Sequence, residues 1–430
     1  MALTITISAI TCLVMICAVL FFPKIKIGKV SIGSYWVVTI TGALILLLTK
    51  SVNLKSVGSA LVADNAINPL KILVLFISMT ILSIFLDELG FFRYLASVTL
   101  KKAGKSQVKL FLLLYITVSV LTVFTSNDII ILSFTPFICY FAKNAKISPI
   151  PYLAAEFVGA NTWSMALIIG NPTNIYLVTA AGGDFVSYLK VMLLPTLAAG
   201  IVAFVFLFVM FRKKLSDPIC AEPQAVQIGD KLQLTIGLVH LALCTIILAV
   251  GSYIGIEMWL VSLISVISLF VFCIVISLAR KQKPVALVSC LKRAPWELVP
   301  FIISMFVMVE ALYANGVTTA IYNILGSSAP IWKYGFTSFV ASNLINNIPM
   351  SVLYSSILGA GSSSAAVYAT VVGSNLGACL TPIGALAGIM WSSILKEHNL
   401  KFGYLDFLKI GLIVAVPALA SALGILQLII

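Results

Sequence analysis

Four short polar islands interrupt an otherwise apolar chain, and their residue types suit a small ligand. The first is Thr125, Ser126, Asn127 and Asp128, and the second Gly170, Asn171, Pro172, Thr173 and Asn174. The third holds Asn343, Asn346, Asn347 and Pro349, and the fourth runs from Gly373, Ser374, Asn375 and Gly377 to Thr381, Pro382 and Gly384. Amides and hydroxyls supply donors and acceptors without net charge. Within a hydrocarbon layer such groups are costly unless they face water, a ligand or one another. Glycine and proline permit a helix to unwind at such points, and irregular backbone at membrane depth is tolerated only where it lines a cavity or is buried in protein. Ser126, Asn127, Asn171, Thr173, Asn174, Asn346, Asn347, Asn375 and Thr381 are therefore the candidate substrate-binding residues.

Carboxyl groups decide how protons could be carried. Of 14 acidic residues, loops account for most; Asp128, Glu156 and Glu310 fall at membrane depth, with Asp87 and Glu88 near a span end. Asp128 is the first candidate for proton coupling because it sits on the island itself, and the same position could cap the following helix. Glu156 precedes Asn161 by one to two turns and reads either as a second proton site or as a helix residue near the cytoplasmic surface. Glu310 lies deep in a span, where a polar partner across the bundle is expected. His398 reads as a loop residue and His240 as a hydrogen-bonded structural one. The 8 cysteines are scattered without a CxxC pair, as expected of buried thiols with no metal site. No Walker A loop, HExxH or nucleophile elbow occurs, so we expect neither an enzyme nor a cofactor.

The elements that position these residues follow from composition. Hydrophobic residues make up 61% and charged residues 10%, and the mean hydropathy is +1.13. That excludes a soluble domain and marks an all-α polytopic membrane protein with room for about ten crossings at roughly 20 residues each. Spans are expected at 3–22, 33–49 and 70–88, with an amphipathic interfacial segment at 91–102. The arms flanking residues 125–128 are short or interrupted, so 108–142 reads as a re-entrant hairpin. A broken helix at 151–181 and a span at 188–211 follow. A polar linker, residues 212–231, divides the chain; beyond it come spans at 232–250, 256–279 and 295–314, a second hairpin near 333–360, a second broken helix at 364–394 and a last span at 404–428.

The two halves, 1–211 and 232–430, echo one another. Ser78-Met79 precedes Gly90 as Ser304-Met305 precedes Gly316, Ser126-Asn127 answers Asn346-Asn347, and Gly159-Ala160-Asn161 answers Gly373-Ser374-Asn375. An odd number of crossings per half makes the repeats inverted. The net charge of +13 reports topology rather than nucleic-acid binding. With an extracytoplasmic amino terminus, nearly all Lys and Arg fall on cytoplasmic segments, and Lys50, Lys55, Lys71, Lys190 and Lys333 are the exceptions. Both termini are then expected outside a cytoplasmic (inner) cell membrane.

TSNDIIILSFTPF, GNPTNI, NNIPMS and GSNLGACLTPIGALAGIMW resemble the signature segments of the ion transporter superfamily, and most closely the arsenite/antimonite permease (ArsB) family, across nearly the whole chain. The resemblance implies an elevator-type fold of scaffold and transport subdomains. It further implies export of trivalent arsenic or antimony hydroxide in exchange for protons, in some members with a soluble ATPase subunit; a homodimer is compatible with it. The family more often carries an acidic residue where Asn375 stands and Pro-Lys where Ala378-Cys379 stand. The expected function is proton-coupled arsenite efflux. The alternatives are a dicarboxylate or other anion transporter, or a sodium/proton antiporter, on the same fold; a pore or a nontransporting scaffold would have no use for four polar breaks.

Overall fold

A computed structural model describes residues 1–22, 24–27, 30–63, 68–219, 228–359 and 362–430. The chain is almost wholly helical. Its first half holds α1 (Ala2–Phe21), the strands β1 (Lys24–Ile27) and β2 (Val30–Gly33), α2 (Ser34–Leu48), α3 (Leu54–Val62), α4 (Pro69–Glu88), α5 (Phe91–Ala103), α6 (Gln107–Phe124), α7 (Asn127–Ala145), α8 (Ile150–Trp163), α9 (Pro172–Ala180) and α10 (Phe185–Phe211). The second holds α11 (Lys231–Ile254), α12 (Met258–Ala279), α13 (Val285–Arg293), α14 (Leu298–Ala314), α15 (Val317–Leu325), α16 (Pro330–Ile345), α17 (Asn347–Leu358), α18 (Ser364–Gly377), α19 (Leu386–Glu397) and α20 (Tyr404–Ile429). Among the described residues 8 helical stretches are long and apolar enough to cross a membrane.

Local chemistry places the helix boundaries. Asn53, Asn68, Asp184 and Asp230 each accept backbone amides at the first turn of α3, α4, α10 and α11, the donors a helix start leaves unpaired. Gly90 and Gly316 take φ of +80° and +72° immediately before α5 and α15. Only a residue without Cβ adopts that conformation cheaply, so each long helix turns abruptly into a short amphipathic one.

The helices pack into two groups around the polar islands. In one, α8 lies against both α6 and α7, α18 against both α16 and α17, α9 against α17 and α18, and α10 against α20. In the other, α2 packs on α1 and α14, and α4 on α11, α12 and α13. One buried carboxylate ties the groups together. Asp87, 7% exposed at the end of α4, accepts from the Arg293 guanidinium at 2.7 Å and from the Ser133 hydroxyl of α7 at 2.7 Å. Arg293 also pairs with Glu88.

Several expectations change in detail. The span expected at 295–314 is preceded by a separate amphipathic helix, α13, with the chain bending at Ala294 and Pro295. Short α3 and α15 and the β1–β2 hairpin, paired Lys24 to Gly33, were not anticipated, because nine- and four-residue segments carry too little periodicity. Arm length does not mark the first hairpin either: α6 has 18 residues and is apolar enough to cross by length and composition. A break at Thr125 and Ser126 separates α6 from α7. The start of the linker is anchored, since Ile219 N donates to Lys105 O at 2.8 Å and Gln107 Nε2 to Asp217 O at 2.8 Å; residues 220–227 of the expected linker, Cys220 among them, lie outside the described residues.

Candidate functional site

Each polar island lies where a helix stops. Thr125 ends α6 in extended backbone, Ser126 occupies the N-cap of α7, and Asn127 and Asp128 open its first turn. The capping position is thus Ser126, not Asp128. Asp128 is half-buried in the first turn of α7. Between α8 and α9 the chain makes a 3₁₀ turn at Ile168–Gly170. A Cβ on Gly170 would lie 2.2 Å from the Ser164 carbonyl oxygen, so only glycine lets the chain pass. Asn171 then caps α9, its Oδ1 accepting from Thr173 N and from the Thr173 hydroxyl, both at 3.1 Å.

The second half repeats this arrangement. Asn346 takes φ +72° and caps α17 through Ile348 N at 3.2 Å, while its amide donates to Ile383 O at 2.9 Å. The second tip is thereby fastened to the 3₁₀ turn Pro382–Gly384 that separates α18 from α19. The Thr381 hydroxyl donates to Asn343 Oδ1 at 2.6 Å, and the Asn343 amide to Phe339 O at 2.8 Å and Gly377 O at 3.0 Å.

Asn375 connects the two broken helices. Its Oδ1 accepts from the Ser164 hydroxyl at 2.8 Å and from the Asn171 amide at 3.0 Å. Its own amide donates to Asn174 Oδ1 at 2.6 Å and to Val371 O at 2.9 Å. Asn174 in turn donates to Ser164 O at 2.8 Å and Leu167 O at 3.1 Å. Asn171, Asn174 and Asn375 therefore share one network with Ser164, and all are at most 2% exposed. Thr173 joins this network through Asn171, and the other bonded candidates lie outside it. Asn127 donates to Asn161 Oδ1 at 3.0 Å, and Asn346 and Thr381 bond within the second half.

Valences remain open at the tips. The Ser126 and Ser374 hydroxyls, the Thr162 hydroxyl and the Oδ1 atoms of Asn127 and Asn347 are buried without a hydrogen-bond partner. Buried polar atoms are normally paired, and these five unpaired ones lie on the polar islands or, for Thr162, in the last turn of α8. Both tip asparagines leave Oδ1 without a partner, while the Asn127 amide donates to Asn161.

The acidic candidates are separated. Glu156 is 0% exposed, its Oε1 accepting from the Thr135 hydroxyl at 2.8 Å and its Oε2 without a partner. It is buried among α7, α8 and α19 rather than at a surface. Glu310 is half-buried and lines a different cavity, with Tyr176 and Tyr313; the partner expected across the bundle is not present among the described residues. His240 has the structural role expected of it, bonding Ile236 O at 2.8 Å and Ser268 Oγ at 3.1 Å. Among the described residues no group of His, Cys, Asp and Glu could hold a metal ion.

Sequence reasoning passed over Ser164 and Thr162, named Ser374 in the fourth island without making it a candidate, and noticed Asn161 mainly as part of the repeat. Their signal was proximity to a helix break.

Comparison with known proteins agrees with this architecture. A profile of the CitMHS family, described as citrate transporter, matches residues 29–369. The chain is 28% identical over 376 residues to the arsenical pump membrane protein of Escherichia coli K12, covering 82% of this chain and 85% of that protein. It is 27% identical over 406 residues to a putative arsenical pump membrane protein of Bacillus subtilis, covering 87% and 89%. The crystal structure of the Alcanivorax borkumensis YdaH transporter superposes with a TM-score of 0.58 at 14% identity over 99% of this chain and 97% of that one, a likeness of fold. The chain belongs to the citrate transporter family of the ion transporter superfamily, and is a multi-span membrane transporter.

Proposed function

We propose that this transporter exports a small neutral hydroxide of trivalent arsenic or antimony across the cytoplasmic membrane, driven by proton antiport. The observation that carries the reading is the chemistry of the site. The open valences belong to amides and hydroxyls, and the four islands contain no Lys, Arg or His. A neutral trihydroxide needs several hydrogen-bond partners and no countercharge; a tricarboxylate would need cations, and Asp128 on the first tip would repel it. The relatives named as arsenical pumps support the same choice over the citrate of the family description.

In this reading Ser126, Asn127, Asn347 and Ser374 contact the cargo, while Asn171, Thr173, Asn174, Asn346, Asn375 and Thr381 hold the breaks that present them. Asp128 is the exchanging carboxyl, with Glu156 and Glu310 as further acidic sites. The halves 1–211 and 232–430 act as inverted repeats about the site, the linker 212–231 is cytoplasmic, and both termini are extracytoplasmic. The hairpins and broken helices move together as a transport body against the group formed by α1, α2, α4 and α11–α14.

Everted membrane vesicles from cells expressing the full chain should accumulate arsenite when an inward-acid proton gradient is imposed, and should not accumulate citrate. Citrate or sodium flux without arsenite flux would replace this cargo with the alternative on the same fold. A variant with every cysteine replaced by serine or alanine should keep arsenite half-saturation within about twofold, since oxygen and nitrogen ligands are neutral to thiol loss. A larger loss would point to Cys379, buried beside α8 and α19.

A further inference from the structure

A cavity of about 290 Å³ lies outside the amide network, between α9 and α17 on one side and α14 on the other. Tyr176, Ser355 and Ser356 line it from the first group of helices, and Glu310 and Tyr313 from the second. Tyr176 follows Asn174 by two residues on α9, so the cavity adjoins the central site along that helix. It does so towards the end of α9 that leads into α10, whose other end meets the linker.

Two of its groups are unspent. The Tyr176 hydroxyl is buried without a hydrogen-bond partner, on a residue 1% exposed. The Glu310 carboxyl, half-buried, has neither hydrogen bond nor ion pair among the described residues. The Ser355 hydroxyl donates to Val352 O at 2.7 Å and keeps its lone pairs free to accept. A phenol that donates and a carboxylate that accepts, on opposite walls, match a ligand carrying several hydroxyl groups. No Lys, Arg or His lines the cavity, which disfavours an anion beside an unpaired carboxylate.

We propose that this cavity is a distal subsite for a small neutral polyhydroxide, with the Tyr176 hydroxyl donating to a ligand oxygen and Glu310 accepting from a ligand hydroxyl. It receives the cargo as it leaves the central site on the face opposite the linker, the extracytoplasmic face in the orientation proposed above. This rests on the cargo reading and adds to it a place and two residues. Because the walls belong to different helix groups, movement of one group against the other opens or closes the subsite.

The test is arsenite exchange by the full chain in vesicles of both orientations, which gives a half-saturating arsenite concentration for each face. Tyr176→Phe and Glu310→Gln are each expected to raise the distal-face value relative to the linker-face value by about fivefold, the weight of one hydrogen bond. An equal shift on both faces would mean that Tyr176 or Glu310 acts on the central site, and overturns the subsite. An unchanged ratio in both variants, with wild-type exchange intact, overturns it alone. Absence of wild-type arsenite exchange on either face removes the cargo reading, and the subsite with it.

Discussion

Asn375→Ala is expected to abolish transport and to lower stability by about 3 kcal/mol or more, because it orphans several buried groups at once and each costs roughly 1–3 kcal/mol. The side chain is 0% exposed and makes four hydrogen bonds: from Ser164 and Asn171, and to Asn174 and Val371 O. Alanine leaves the Ser164 hydroxyl without that acceptor, the Asn171 amide without its partner and Asn174 Oδ1 without its donor, around a void too small and too polar to stay empty at no cost. The network also ties the end of α8 and the start of α9 to α18, so its loss displaces the helix ends that carry Thr162 and Ser374. Thermal unfolding of the purified full chain reads the stability change, and arsenite exchange the functional one. Asn375→Asp is the informative companion. It keeps the acceptor for Ser164 and Asn171 but loses the donor to Asn174 unless protonated, so it should retain more stability than alanine and gain in relative stability as pH falls. An alanine variant within about 0.5 kcal/mol of wild type, the range of an inconsequential surface change, would show that the network does not hold the breaks.

Much of this architecture was legible in the chain because membrane helices impose one strong rule, a long apolar run ended by polar or helix-breaking residues. α4, α10, α11, α12 and α20 fall within a few residues of their expected bounds, and both breaks occur at the Gly-Asn-Pro and Thr-Pro-Ile-Gly motifs. Gly90 and Gly316, chosen as echoes, begin corresponding amphipathic helices, a positional match that positive φ explains. What escaped was of two kinds. α3, α13, α15 and the β1–β2 pair are too short for periodicity to speak, and tertiary contacts select them. The pairing of islands was also hidden: nothing in the spacing tells that Asn375 bonds Asn171 and Asn174, some two hundred residues away, while Asn127 turns to Asn161. That selection depends on which broken helices cross, a long-range geometry that a linear pattern does not carry. Glu156 shows the same limit in reverse, since its surroundings of small and apolar residues placed it on a helix without revealing that its side chain is fully buried.

Asp128→Asn is expected to uncouple the transporter: arsenite exchange persists while accumulation driven by the proton gradient falls at least about tenfold, to the level of equilibration, a loss of about 1.4 kcal/mol or more in drive. Asp128 is the one acidic residue on a hairpin tip. It stands in the first turn of α7, half-buried, next to Asn127, whose Oδ1 has no hydrogen-bond partner. An uncharged cargo arriving at the tip displaces the water that sustains a charged carboxylate. Binding of cargo and of a proton are thus linked at neighbouring residues, which is what exchange requires. Asparagine keeps the shape and the hydrogen-bonding capacity and removes only the titration, so exchange should survive. Glu156 differs in being sealed: it is 0% exposed, and a group without a path to water cannot turn over protons in the conformation observed. If Asp128→Asn retains full gradient-driven accumulation and Glu156→Gln loses it, the coupling carboxyl lies on α8 and reaches water only when the two helix groups shift. Loss of both exchange and accumulation in Asp128→Asn would instead place the aspartate in cargo binding rather than in proton transfer.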